Sequence, residues 1–263
     1  MDKKGFHYYI CRMFHEMGKF FWLIGDFVSD LPIAVLSPKK LEDMVDIYYR
    51  DQKRVVHWSK NSDKGLSVIE TEFIKRYDIK KGAFLVIASG GGREAFGLAE
   101  KGLHVTAIDI SEGLIRFSRA KAERKNIKNL DFQHSSIQNF RPGQKFDYIF
   151  FSGRSYNYIP TRRRRVELLR KIRTWMNPEG RFLLNFAVGN KSQKGKREYF
   201  YSIYKFLAYV SFGNRELQKG DTVNTEGFRH NFIDCKEAET EAKEAGFVIE
   251  REGSDLFLRP GTC

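Results

Sequence analysis

The stretch LVIASGGGREA, Leu85 to Ala95, constrains this chain more than any other: an apolar run enters three consecutive glycines and leaves into a helix-forming sequence. It reads Gly90-x-Gly92-x-x-Ala95. Glycines let a backbone turn sharply and approach a ligand with no Cβ in between. The N-terminus of the helix that follows offers unpaired N–H groups and a partial positive charge. Asp109 ends the next strand candidate, seventeen residues after Gly92, and a carboxylate there is placed to accept hydrogen bonds from both hydroxyls of a ribose. Together these features predict an adenosine-containing ligand lying across the carboxyl ends of the first two strands. A P-loop is excluded, because no Gly-Lys-Ser/Thr follows. On the residues alone, a nicotinamide dinucleotide and a sulfonium nucleoside both remain open.

The texture around this loop sets the fold class. Short apolar runs at 83–88, 104–109, 130–134, 146–152 and 181–187 alternate with amphipathic segments at 93–101, 112–125 and 162–176. Near-continuous apolar strands separated by helices predict a parallel sheet covered on both faces. Residues 247–251 and 255–259 give two closing strands around a tight Gly253-Ser254 turn, so the last strand should run antiparallel. The first 64 residues read as a helical N-terminal cap: one aromatic-rich helix over 6–29, broken at Leu31-Pro32, and a second over 39–58. Ser67 and Glu70 form a capping-box signature that opens a helix running to about Arg76. Residues 65–263 then form the main domain, with a helix near 195–211 and a polar stretch at 212–234 predicted as a lid inserted over 195–234.

Charge is unevenly spread. Of a net +13, residues 81–190 carry 20 basic against 9 acidic side chains, a net of +11, with Arg162, Arg163, Arg164 and Arg165 as the sharpest cluster. A basic surface attracts nucleic acid, anionic lipid or anionic metabolites. The arginine run opens a predicted helix and lacks the aromatic interleaving of single-strand binders, so a solvated helix face is the expectation. Cys11, Cys235 and Cys263 lie far apart without a CxxC pair, which argues against a metal cluster or a disulfide framework. No apolar run reaches the roughly 18–20 residues needed to span a bilayer. A cytoplasmic protein without a bound metal is expected.

Five segments, in this order, resemble the motifs of the class I S-adenosylmethionine-dependent methyltransferases. They are VIASGGGREAFGLAEKGLHVTAIDIS, FQHSSIQNF, FDYIFFSGRSYNYI, MNPEGRFLL, and the closing Ala-Gly-Phe with its strand pair. The resemblance covers about residues 65–258. It implies a Rossmann-like three-layer sandwich with a mostly parallel seven-stranded sheet, and S-adenosylmethionine as cofactor. By position it implies that Ser89, Gly90, Gly91 and Gly92 face the methionine and ribose portions and that Asp109 holds the ribose hydroxyls. Ile110, Ser136 and Ile137 would flank the adenine, and Ser152 would sit under the cofactor. Two positions depart from the family pattern: Ala88 and Ser136 stand where acids are common.

Methyl transfer needs a placed acceptor, exclusion of water, and a base only where the acceptor must lose a proton. Tyr156 and Tyr158, just after the fourth strand, and His230 on the expected lid are the catalytic candidates. The expected substrate is a small metabolite, anionic or amphipathic, methylated on oxygen or nitrogen, in a monomer or homodimer. FSGRSY replaces the [ND]PP[YF] signature of many nucleic-acid N-methyltransferases, which places nucleic acid behind small molecules. Three alternatives stay open: an RNA or lipid methyltransferase using the basic 81–190 surface, a noncatalytic RNA- or membrane-binding protein with a degenerate pocket, and an NAD-dependent oxidoreductase. The N-terminal aromatic helix is expected to pack into a core. Closing over the site, forming a dimer face and lying on a lipid surface are its other readings.

Overall fold

Apolar runs with no polar face have to be covered on both sides, and the centre of the chain meets that demand. The computed structural model describes residues 3–151, 153–189 and 191–261, the side chains of 3–8 and 191–199 aside. Strands β1 (Ala83–Ile87), β2 (His104–Asp109), β3 (Leu130–His134), β4 (Phe146–Phe151) and β5 (Met176–Asn185) run parallel. A separate hairpin is made by β6 (Asp221–Asn224) and β7 (Gly227–His230), and β8 (Phe247–Arg251) and β9 (Asp255–Pro260) close the chain. The seven-stranded sheet has the order β3-β2-β1-β4-β5-β9-β8, with β9 antiparallel to both neighbours. This is the Rossmann-like arrangement with an antiparallel last strand.

Alternate residues of β1 feed the two cores. Phe84 and Val86 join the helices α4 (Val68–Arg76), α5 (Arg93–Ala99) and α6 (Glu112–Arg124) through Phe73, Phe96 and Ile115. Leu85 and Ile87 join α7 (Arg162–Thr174) and α9 (Cys235–Glu244) through Leu169 and Ala242. The predicted capping box is present: Ser67 Oγ accepts from the Glu70 amide and Glu70 accepts from the Ser67 amide. The strand order reverses beside β1, whose neighbours are β2 and β4, so a crevice opens at their carboxyl ends.

The N-terminal helices depart from expectation in two places. Helix α1 (Lys3–Val35) continues through Pro32. A proline in the last turn removes one intrahelical hydrogen bond, and tertiary contacts hold this end: Ile33 and Ala34 are buried and the Asn214 amide donates to the Ala34 carbonyl at 3.0 Å. The predicted helix over 39–58 is two helices, α2 (Pro38–Arg50) and α3 (Gln52–Ser59). Asp51 splits them by taking an extended conformation and accepting from the Lys53 amide at 2.8 Å, an N-cap inside an otherwise periodic run. β5 also begins earlier than expected, at Met176, and pairs with β4 on both sides of a bulge. In the expected lid region α8 (Lys191–Val210) precedes the β6–β7 hairpin. No single helix among the described residues is long and apolar enough to cross a membrane.

Candidate active site

A cavity of about 990 Å³ opens at the carboxyl ends of β1, β2 and β4 and is roofed by α2 and α3. Ser89, Gly90, Gly91, Asp109, Ile110, Ser136 and Ile137 line it, so the structure brings together seven of the nine residues assigned to cofactor binding. Ser152 lies outside the described residues. Gly92 is not in the lining. It caps α5 with φ +84°, and a Cβ there would stand 2.8 Å from Phe132, so it serves helix–sheet packing rather than ligand contact. Gly91 does line the cavity, and its missing Cβ also admits the roof: a methyl would lie 2.7 Å from the Trp58 carbonyl of α3.

Asp109 is the electrostatic centre of this end. Its Oδ2 accepts from the Gly90 amide at 2.7 Å and its Oδ1 from the Ser111 amide at 2.8 Å. The other lining acids are each paired with a cation: Glu42 with Arg164, Asp43 with Lys39, Asp46 with Arg50 and Glu94 with Arg93. Asp109 makes no ion pair with a lysine or arginine among the described residues. Burial pushes its carboxyl above the usual aspartate range, against the lowering effect of the Ser111 and Gly90 amides. An ionised carboxylate has about four acceptor sites, so two amide donors leave capacity for two hydroxyls.

The comparisons with known proteins agree with this geometry. A family model described as a methyltransferase domain matches residues 84–180. The matched stretch is similar to a methyltransferase domain, and the fold is that of S-adenosylmethionine-dependent methyltransferases. It is 33% identical over 116 residues, 44% of its length, to the putative methyltransferase YqeM of Bacillus subtilis, and spans 46% of that relative. Its fold is similar to that of the Burkholderia thailandensis 1,6-didemethyltoxoflavin-N1-methyltransferase, which was solved with its substrate and S-adenosylhomocysteine. That likeness has a TM-score of 0.61 at 14% identity and covers 86% of this chain and 91% of the other. A Methanosarcina mazei S-adenosylmethionine-dependent methyltransferase superposes with a TM-score of 0.58 at 18% identity, over 76% of this chain and 100% of that one.

The site fits S-adenosylmethionine on its own observations. Asp109 has spare acceptor sites, a Cβ on Gly90 would meet nothing within 4 Å, and Ser89 Oγ is buried without a hydrogen-bond partner. The acid that family members place at position 88 is an alanine here, in the left-handed region at φ +56°. That conformation costs about 1–2 kcal/mol for a residue with a Cβ.

The three catalytic candidates separate. Tyr158 lines the cavity, donates to the Glu226 carboxylate and accepts from the Tyr49 hydroxyl at 3.2 Å. Tyr156 and His230 are not in the lining, and both are fully buried. Tyr156 donates to Glu241 at 2.6 Å inside the core. His230 has Nδ1 at 2.7 Å from Asp221 and Nε2 at 3.1 Å from Glu237, so neither ring nitrogen is left to meet a substrate. It anchors the hairpin. Among the described residues none of 195–234 lines the cavity, and that segment reaches it through Glu226 on Tyr158. The roof residues Asp46, Tyr49 and Trp58 line the cavity without having been singled out by the sequence, and Arg164 of α7, noted there only for its charge, joins them. The roof residues carry no motif.

Burial and the Arg165 guanidinium lower the His230 pKa, but hydrogen bonds to Asp221 and Glu237 outweigh them and the pKa ends above 6.5. A raised histidine contributes stability that is complete below the unfolded value and is lost as pH rises through the folded one. Wild type should therefore exceed His230→Gln in melting temperature most clearly below about pH 6.5, the ordinary histidine value, with the gap narrowing towards pH 9. Paired thermal melts across that range check this, and a constant gap contradicts it.

The arginine cluster is the solvated face expected only in part. Arg162 pairs with Glu244 at 2.5 Å and Arg163 with Glu216 at 2.8 Å, their side chains 41% and 61% exposed, and Arg164 pairs with Glu42. Arg165 is fully buried against Glu241 at 2.7 Å. Each of the four is paired with an acid, which weakens the sharpest sequence argument for nucleic acid.

Proposed function

We propose that this protein transfers the methyl group of S-adenosylmethionine to an oxygen or nitrogen of a small molecule held between the β1–β2 crevice and the α2–α3 roof. Within residues 1–64, α2 and α3 act as the cap, and 195–234 acts as a lid that steadies the acceptor side. The observation that carries this reading is one cavity lined both by Asp109 and the glycine loop and by Tyr49, Trp58 and Tyr158. The cofactor supplies an activated methyl group, so the protein's task is to orient the acceptor and exclude water.

The Tyr49–Tyr158–Glu226 chain gives the acceptor side a route for a proton. Burial pushes the Tyr49 hydroxyl up to about 12 despite its hydrogen bond to Tyr158, and burial raises Tyr158 further. Both phenols therefore stay protonated at neutral pH, and the carboxylate of Glu226 is the base. A hydroxyl or ammonium acceptor passes its proton to a phenol oxygen as the phenol proton moves on to Glu226, which is partly exposed and releases it to water.

Calorimetry with S-adenosylmethionine and S-adenosylhomocysteine, followed by a mass-detected screen of metabolites for methyl acceptance, tests the reading. Failure to bind either nucleoside would overturn it. Once an acceptor is found, Tyr158→Phe and Glu226→Gln should each lower kcat by about 10²-fold or more while leaving S-adenosylhomocysteine affinity unchanged. Unaltered turnover in both variants would leave the acceptor without this relay.

A further inference from the structure

Helices α1 and α8 bury only one side of each other. Phe27, Leu31 and Ala34 pack against Phe200, Tyr204 and Ala208, with Phe27 stacked on Tyr204 at 5.4 Å. Before that contact α1 stands clear of the protein: Met13, Met17, Phe20, Phe21, Ile24 and Val28 are 43–65% exposed. Their spacing of three and four residues makes one stripe, while Arg12, His15, Lys19 and Asp26 fall on the opposite side. The stripe, Met13 to Val28, is roughly 23 Å long at 1.5 Å per residue. The outer side of α8 extends it, with Ile203, Phe206, Tyr209 and Val210, and Phe212 just beyond, 45–78% exposed. An apolar face of this extent marks an interaction surface, and the expectation that the N-terminal helix packs wholly into a core is not met.

Charge identifies the occupant. The Arg215 guanidinium lies 5.3 Å and 4.8 Å from the exposed rings of Tyr209 and Phe212, and the Lys205 and Lys219 ammonium groups lie 5.8 Å and 5.9 Å from the Tyr201 ring. Cations seated on aromatic rings at the border of an apolar face suit a surface that is greasy beneath and negative at its edge. A second copy of this chain would set Lys205, Arg215 and Lys219 against their own kind, whereas an anionic bilayer brings the opposite sign.

We propose that the exposed α1–α8 face seats this protein on an anionic lipid bilayer surface. The seat is tied to the active-site end of the molecule. Asp30 of α1 accepts from Thr222 Oγ1 at 2.8 Å and from the Val223 amide at 3.0 Å, and the turn of that hairpin carries Glu226, the partner of Tyr158.

Flotation of the full chain with vesicles of phosphatidylcholine alone, or mixed with phosphatidylglycerol, tests the proposal. The protein should float with the mixed vesicles, at least about tenfold less with the neutral ones, and progressively less as sodium chloride is raised. Phe20→Glu/Phe21→Glu should lower the bound fraction by about tenfold or more with an unchanged melting temperature, since both rings are exposed. Phe206→Glu on α8 is the second variant should the first fail to fold. Absence of flotation with mixed vesicles, or equal flotation of the variants, overturns the proposal. So does a wild-type dimer by light scattering that the double variant converts to monomer, which would assign the face to a second copy. None of these outcomes depends on cofactor binding or on methyl transfer.

Discussion

Asp109→Asn is expected to bind S-adenosylhomocysteine about 100-fold more weakly than wild type, about 2.7 kcal/mol. The carboxylate receives the Gly90 and Ser111 amides, one on each oxygen, which fixes its plane and turns its remaining acceptor sites to the cavity. Hydrogen bonds to a charged acceptor are worth about 1.5–3 kcal/mol each. The amide side chain keeps one acceptor oxygen and presents an NH2 group to an amide or hydroxyl donor. The loop and the fold survive, because Asn matches Asp in size and one backbone donor stays paired. pH provides a second measurement. Burial raises the Asp109 pKa, so protonation removes the acceptor at a pH above the usual aspartate range. Wild-type affinity should fall on acidification with a midpoint above that range, and the Asn variant should stay flat over the same interval. Calorimetry across pH reads both effects, and equal affinities for the two proteins would remove Asp109 from the site.

Local sequence carried the crevice but not the roof. The strand–glycine–helix order and the acid at 109 are backbone requirements written into consecutive residues. They put Ser89, Gly90, Gly91, Asp109, Ile110, Ser136 and Ile137 on one cavity wall. Tyr49 and Trp58 reach the same cavity from helices far away in sequence, and nothing local marks the face of α2 that turns inward. Helix boundaries were lost where one residue acts against the periodicity, as Asp51 does by capping α3. Pro32 shows the converse, a breaker overruled because the buried Ile33 and Ala34 hold the last turn in place.

His230 and Tyr156 show why titratable residues on an expected lid misled the sequence argument. Their chemistry is used in a buried polar network, which ionisable side chains serve as readily as they serve catalysis. Arg165 Nη2 donates to Gln218 at 2.8 Å, and the Gln218 amide donates to Asp221 at 2.9 Å. Asp221 in turn holds His230, and Asn157 donates to the His230 carbonyl at 2.6 Å. The chain of contacts stitches the hairpin to α7, α9 and the turn after β4.

The keystone of that network is the pair Arg165–Glu241, both fully buried, and its rupture gives the largest stability effect expected in this protein. Glu241 accepts from Arg165 Nε at 3.1 Å and 3.0 Å, from Nη2 at 2.7 Å, and from the Tyr156 hydroxyl at 2.6 Å. The guanidinium also lies 5.1 Å from the Phe232 ring, which stacks on Tyr156. Glu241→Ala would strand an arginine that cannot lose its proton and strip a buried phenol of its acceptor. Removing one partner of a buried pair costs about 3–5 kcal/mol, which lowers the melting temperature by about 6–20 °C at this chain length. Glu241→Gln keeps an acceptor for Arg165 or Tyr156 and should lose less. Arg163→Ala, two residues away in sequence, is the contrast: its side chain is 61% exposed and pairs with Glu216 at the surface, where an ion pair contributes at most about 1 kcal/mol. Thermal melts of the three variants should rank them in that order. A Glu241→Ala melt within 2 °C of Arg163→Ala, a spacing of about 1 kcal/mol at most, would mean that solvent reaches the stranded guanidinium.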